Sequence, residues 1–273
     1  MKAGIKPLFT VVIPLYNRES YVAKAIRSVI RQTYKGWKIL IINDASTDGS
    51  AAIASKFTME GSIRLINLKR NVGISKVLNI ALKHVTTPYF VQLDSDDWLE
   101  PNALEILANA CGTHPEAALV YGNSKLWLEN KGKLTLKKNI RHRQYKTKME
   151  FLIHFDFMLT PRCYKTAALK EAGGWDTNDP YEGRIMEDRR MCMKLIDRFP
   201  HHWVNQKLYN ALKHGHQLTG ANNIKKRNVL RKRLVLTYLK KWGNHHQPVF
   251  GYTSSGYLIV KKIKKRISRQ RGE

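Results

Sequence analysis

The chain is short of acid, cysteine and long apolar runs. Against 48 Lys and Arg it holds 21 Asp and Glu, for a net charge of +27 across 273 residues. Its three cysteines, Cys111, Cys163 and Cys192, are far apart and form no Cys-x-x-Cys. That excludes a disulfide framework and a cysteine zinc site. No apolar run approaches the roughly 20 residues of a membrane span. The first apolar stretch, Leu8–Leu15, is interrupted by Pro14 and followed by no small-residue cleavage site, so it reads as a strand rather than a signal peptide. Cytoplasmic placement is the expectation. The chain also lacks G-x-G-x-x-G and G-x-x-x-x-G-K-[ST], so neither a dinucleotide fingerprint nor a phosphate loop is present.

The composition, 43% hydrophobic and 25% charged, is that of a chain that can bury a core. The positive charge is unevenly placed. Residues 131–150 carry eight Lys and Arg against Glu150, and residues 221–273 carry fifteen against Glu273. Two basic segments point to an anionic partner: a membrane surface, nucleic acid or a polyanionic substrate. Nucleic acid would call for interleaved aromatics or a known module, and the chain has neither.

The first half alternates strand and helix patterns. Strands are expected at Leu8–Leu15, Trp37–Ile42, Ile63–Leu68, Tyr89–Leu93 and Ala117–Tyr121, with helices at Glu19–Thr33, after Ser50, at Ser75–His84 and from Pro101 to Ala110. Such alternation implies an α/β fold, a Rossmann-like, mostly parallel sheet with helices on both faces. The second half predicts a hairpin around Asn130-Lys131-Gly132, a mobile basic loop over 137–150 that could close as a lid, and a strand within Phe151–Cys163. A short helix should end at Gly173-Gly174, and further helices cover Ile185–Phe199 and 221–242.

Ligands of open parallel sheets bind beyond the carboxyl ends of the strands. Three such ends are chemically rich: Pro14-Leu15-Tyr16-Asn17, Asn43-Asp44-Ala45-Ser46, and Asp94-Ser95-Asp96-Asp97. An Asp-x-Asp beside a further Asp suits Mg²⁺ or Mn²⁺, which take one or two carboxylates and complete their shells with water and substrate phosphates.

These motifs, with Asn71-Val72-Gly73-Ile74-Ser75, Gly173-Gly174-Trp175-Asp176 and Met186-Glu187-Asp188-Arg189-Arg190, occur in an order that resembles the family 2 glycosyltransferases of GT-A fold, over roughly residues 8–220. The second half looks closest to the type that builds spore-coat polysaccharide. The resemblance implies an inverting transferase that moves a sugar from a nucleoside diphosphate, UDP or dTDP, to a hydroxyl of a glycan or lipid-linked acceptor in cell-envelope polysaccharide synthesis. It implies a nucleotide-binding half of about 1–125 and an acceptor half of about 126–220; beyond it, charge and helical pattern give a basic helical extension over 221–273.

By the same resemblance Pro14, Tyr16, Asp44, Arg70, Asp94 and Ser95 bind nucleotide, and Lys69 is a further candidate. The metal, Mn²⁺ or Mg²⁺, falls to Asp96 with Asp94, Asp97 and His214. The run of acids leaves open whether Asp96 or Asp97 is the direct ligand, and His216 stands beside His214 as an alternative. The family's usual Arg slightly upstream has no clear counterpart, and Lys213 is its candidate substitute. Asp188 is the expected general base with Glu187 supporting it, and Gly174, Trp175 and Asp176 meet the acceptor, Trp175 by stacking on a sugar face. The basic extension suits peripheral attachment at the inner face of the cell membrane. Two other classes compete: a nucleic-acid-binding protein, and a nucleotidyltransferase that forms sugar nucleotides. The latter would want a glycine-rich loop where this chain has Tyr16-Asn17-Arg18.

Overall fold

Strands that are apolar on both faces belong in the middle of a covered sheet, and the first strand is the clearest case. In the computed structural model, which describes residues 6–59, 61–154, 158–215 and 223–266, β1 (Phe9–Leu15) lies between β2 (Trp37–Asn43) and β4 (Tyr89–Gln92), parallel to both. β3 (Ile63–Asn67) continues the parallel set beyond β2. Successive residues of β1 point to opposite faces. Val11 and Ile13 meet α1 (Val22–Ile30) and α4 (Ala103–Thr113). Val12 joins a second core under α3 (Ile74–His84), α6 (Thr166–Glu171) and α7 (Glu187–Ile196). The short α2 (Ser50–Ser55) follows β2.

The sheet then changes direction. β8 (Thr160–Lys165) runs antiparallel to β4, and β6 (Leu119–Asn130) runs antiparallel to β8. β9 (His201–Lys213) lies parallel to β6, and the two-residue β5 (Trp98–Leu99) pairs with its outer end. The resulting order is β3-β2-β1-β4-β8-β6-β9-β5. Carboxyl ends of β1, β2 and β4 therefore open on one edge, as the strand pattern implies.

Two expectations are corrected. Residues 137–150 are not a loop throughout. β7 (Lys133–Ile140) pairs with β6 across the expected turn, and α5 (Lys148–His154) begins before residue 150. β7 is almost wholly exposed and is held by ladder hydrogen bonds, and beyond Leu136 its sequence, Lys137-Lys138-Asn139, carries no apolar signal. Tyr145, within the supposed loop, is buried on Phe151. The C-terminal region is also more than helix. After α8 (Ile224–Lys241), β10 (His246–Tyr252) and β11 (Leu258–Lys265) form an antiparallel hairpin. Leu258 and Val260 are buried, while Lys261, Lys262, Lys264 and Lys265 are exposed. Asp197, at the end of α7, accepts from Lys241 Nζ and Trp242 Nε1, both at 2.6 Å, and so ties α8 to the sheet's second half.

Candidate functional site

The acidic turn after β4 is arranged by groups of opposite charge. Arg162, on β8 and fully buried, donates from Nη2 to both oxygens of Asp94 at 2.9 Å. Its Nη1 lies 3.8 Å from Asp188 Oδ2. One guanidinium thus stands between the strand end and the first turn of α7. An unpaired buried charge would cost several kcal/mol, so each carboxylate is placed where the cation holds it. Among the described residues Nε of Arg162 finds no hydrogen-bond partner.

Asp96 faces another way. Its Oδ2 accepts from Arg18 Nε at 3.0 Å and meets His214 Nε2 at 2.9 Å. Burial works to raise this carboxyl, but the His214 hydrogen bond and the Arg18 charge outweigh it and hold it below the ordinary range. The His214 ring packs on Tyr21, with centroids 4.5 Å apart. Asp97 turns inward instead. Oδ2 accepts from the Tyr209 hydroxyl and Oδ1 from the Leu212 N–H, each at 2.8 Å. Burial, aided by the Asp96 and Asp94 charges, pushes its carboxyl well above the usual carboxylate range. The Tyr209 hydroxyl in turn accepts from the Asp94 N–H at 3.2 Å. Asp97 and Tyr209 therefore fasten the turn to β9, and the turn offers Asp96 and Asp94 outward. Ser95 is buried between them.

Mn²⁺ and Mg²⁺ can be tested against this donor set. Among the described residues no three His, Cys, Asp or Glu side chains converge. Asp96 supplies a carboxylate oxygen of the kind Mn²⁺ and Mg²⁺ prefer, and His214 stands beside it at 2.9 Å as a candidate nitrogen donor. Two protein donors with the rest from phosphate and water is the coordination such ions favour beside a diphosphate. The residues fit. Asp97, with both oxygens engaged in the interior, fits only as an anchor. His216 lies outside the described residues.

At the β2 end, Asp44 is buried. Its oxygens accept from the Val72 and Gly73 N–H groups at 2.7 and 2.9 Å. It shapes the loop that starts α3. Gly73 has φ +87, and a side chain there would strike Arg184. Arg184 Nη1 donates to Asn71 Oδ1 at 2.7 Å. Tyr16 is exposed and Pro14 half-buried at the adjoining β1 end; Lys69 and Arg70 are exposed after β3.

Glu187 and Asp188 open α7, and Met186 before them holds the left-handed conformation at φ +58. Such a backbone in a bulky residue persists only where its surroundings enforce it. Arg190, one turn along α7, supplies part of that frame: it donates to Asp179 at 2.6 Å, and Asp179 also accepts from the Gly183 N–H at 2.9 Å. Burial, then the Asp188 charge, pushes the Glu187 carboxyl up to about 8.

The acceptor-side motif is rearranged relative to expectation. Trp175 is buried, its ring 5.4 Å from Phe90 and 5.8 Å from Tyr164, so neither face is offered to a sugar. Asn79 grips its backbone, accepting from the Trp175 N–H and donating to its carbonyl, both at 2.8 Å. Gly174, at φ +69, packs against Asn79 where a Cβ would collide. Asp176 stays half-exposed with Lys194 at 2.6 Å.

Sequence reasoning missed Arg162, Arg18 and Tyr209. The signal for Arg162 was available: a cation inside the otherwise uncharged stretch Leu159–Tyr164 has to meet a buried acid. Arg18 and Tyr209 carry no local signal, because their partners lie 78 and 112 positions away.

Comparison with known proteins supplies the rest. Residues 10–173 match the family described as Glycosyl transferase family 2. Glycosyltransferase GlyA of Streptococcus pneumoniae is 30% identical over 202 residues, 73% of this chain and 28% of GlyA. The chain thus spans less than a third of that relative's length. Staphylococcus aureus TarS 1–349 in complex with UDP superposes with a TM-score of 0.66 at 20% identity, covering 85% of this chain and 65% of that one. A mannosyltransferase from Pyrobaculum calidifontis, in complex with GDP-Man and Mn²⁺, superposes at 0.57 and 16% identity, covering 86% and 65%. Both likenesses are likenesses of fold.

Proposed function

The chain belongs to glycosyl transferase family 2, and from that premise we propose an inverting, metal-assisted transfer from a UDP- or dTDP-sugar to a hydroxyl of a glycan or lipid-linked acceptor. The observation that carries this reading is the placement of Arg162 between Asp94 and Asp188, which joins the acidic strand end and the Glu187–Asp188 pair into one site. The GT-A fold of the neighbour that holds UDP supports a nucleoside diphosphate at this edge.

Each group then has a task. Asp44 keeps lone pairs beyond its two backbone bonds and accepts from the N–H of the pyrimidine. Pro14, Tyr16 and Arg70 border the base and ribose, and Asp94 with Ser95 orients the ribose. Asp96 and His214 would hold Mn²⁺ or Mg²⁺, exchanging their mutual contact for it. When bound there, the ion supplies Lewis-acid stabilisation of the charge on the departing diphosphate. Asp188 takes the proton of the acceptor hydroxyl as its oxygen attacks the anomeric carbon from the side opposite the diphosphate. Glu187, its carboxyl pushed up to about 8, keeps its proton at neutral pH and donates to an acceptor oxygen. Two neighbouring carboxyls in unlike environments divide the roles of acid and base. Gly174 and Asp176 lie on the acceptor side, and Trp175 supports them from the core.

The test is release of nucleoside diphosphate from a panel of sugar nucleotides, with Mn²⁺, with Mg²⁺ and with chelator. Wild type releases UDP or dTDP only with metal. Asp188→Asn lowers transfer by about 10²–10⁴-fold while donor binding is kept. Undiminished transfer by that variant refutes the assignment of the base.

A further inference from the structure

α8 presents two unlike faces. Leu230, Val235 and Leu239 are buried, the last two in the core beneath α5 and α7. On the opposite side Val229 and Leu236 are 54% and 41% exposed. Seven positions apart, they project in nearly the same direction from the helix. One turn to either side of them stand Lys225, Lys226, Lys232 and Arg233, all exposed. The outward face is therefore an aliphatic pair ringed by cations. Between residues 223 and 266 there are thirteen Lys and Arg and no Asp or Glu, so no acid within the segment neutralises the ring.

We propose that this face of α8 seats the protein on a bilayer containing anionic lipid. A polyanion such as DNA would be served by the cations alone and has no use for a central aliphatic pair. A lipid interface takes both, since the apolar side chains enter the acyl boundary while the cations meet headgroup phosphates. The position of the helix fits the reading. Lys226 Nζ stands 5.6 Å from the Tyr181 ring, and Tyr181 belongs to the loop that leads through Arg184 and Met186 into Glu187–Asp188. A surface under α8 thus adjoins the acceptor side of the site. The proposal itself is independent of the transferase reading, because it rests on the helix face.

The full-length protein is sedimented with vesicles of phosphatidylcholine alone and of phosphatidylcholine with phosphatidylglycerol, at low and high salt, and its binding to duplex DNA is measured in parallel. Wild type binds the anionic vesicles, and salt weakens that binding. Lys225→Gln/Lys232→Gln/Arg233→Gln lowers partition roughly a hundredfold. Val229→Ser/Leu236→Ser, which alters no charge, lowers it about tenfold and leaves DNA binding unchanged. All substituted side chains are exposed, and circular dichroism confirms that the variants fold. Equal binding to both vesicle types overturns the proposal. So does vesicle binding that survives the Val229/Leu236 change intact, which identifies the face as a general polyanion surface.

Discussion

Substituting the two neighbouring acids of the β4 turn separates a structural anchor, Asp97, from the proposed metal ligand, Asp96. Asp97→Ala removes the acceptors of the Tyr209 hydroxyl and the Leu212 N–H, both buried. Each orphaned donor costs about 1–3 kcal/mol. Part is returned because a carboxyl that burial pushes well above its usual range no longer has to be accommodated. A net loss of about 3 kcal/mol follows, and with roughly 2–4 °C per kcal/mol for a chain of this size, the melting temperature falls by about 6–12 °C. Asp97→Asn retains one acceptor oxygen and loses about half as much. Asp96→Asn alters a group at the rim, with side-chain exposure of 14%. Its charge-assisted contacts with Arg18 and His214 are weakened, so the melting temperature falls as well, but the distinguishing outcome is that Mn²⁺ affinity in the presence of nucleoside diphosphate is lost. Thermal unfolding and calorimetric Mn²⁺ titration on the three variants decide the matter. If Asp97→Asn abolishes Mn²⁺ binding at an unchanged melting temperature while Asp96→Asn binds normally, the assignment is reversed.

Two further outcomes follow from the same geometry. The Glu187 carboxyl is raised from its ordinary 4.5 to about 8. Its contribution to stability is therefore fully present below pH 4.5 and is lost as pH rises through about 8. Denaturant unfolding of Glu187→Gln across that window should show a flatter pH dependence than wild type; matching slopes would show that Glu187 ionises normally. Arg162→Met leaves Asp94 and Asp188 without their shared cation and destabilises by about 3–5 kcal/mol. Arg162→Lys recovers only part, since one ammonium nitrogen cannot stand at Asp94 and at Asp188 together as Nη2 and Nη1 of the guanidinium do; wild-type stability in the Met variant would contradict the bridging role.

The parallel half of the sheet was legible because burial on both faces writes a strand as an unbroken apolar run, as in Val11–Ile13 and Ile39–Ile42. The acids of the site were legible because strand ends expose polar residues where ligands bind. Less could be read where contacts span the chain. β5 is two residues long and is defined by pairing with Asn210 and Tyr209. β7 is held by hydrogen bonds and buries almost nothing. Trp175 is expected as a sugar platform from the motif it belongs to, but the chain turns its indole inward, and its backbone is held there by Asn79, 96 positions away. Asp96 and Asp97 are adjacent in sequence and opposite in fate, and only the approach of β9 distinguishes them.

Arg162 also limits how this chain can be recombined with its relatives. A chimaera that joined the parallel half of one transferase to the second half of another near residue 125 would take Asp94 from one parent and both Arg162 and Asp188 from the other. A graft whose incoming β8 lacked the arginine would bring two carboxylates together with nothing between them, whatever the quality of the seam. Donor and acceptor specificities can be shuffled here only if β8 and the β4 turn are inherited together, so the unit of exchange is set by one side chain.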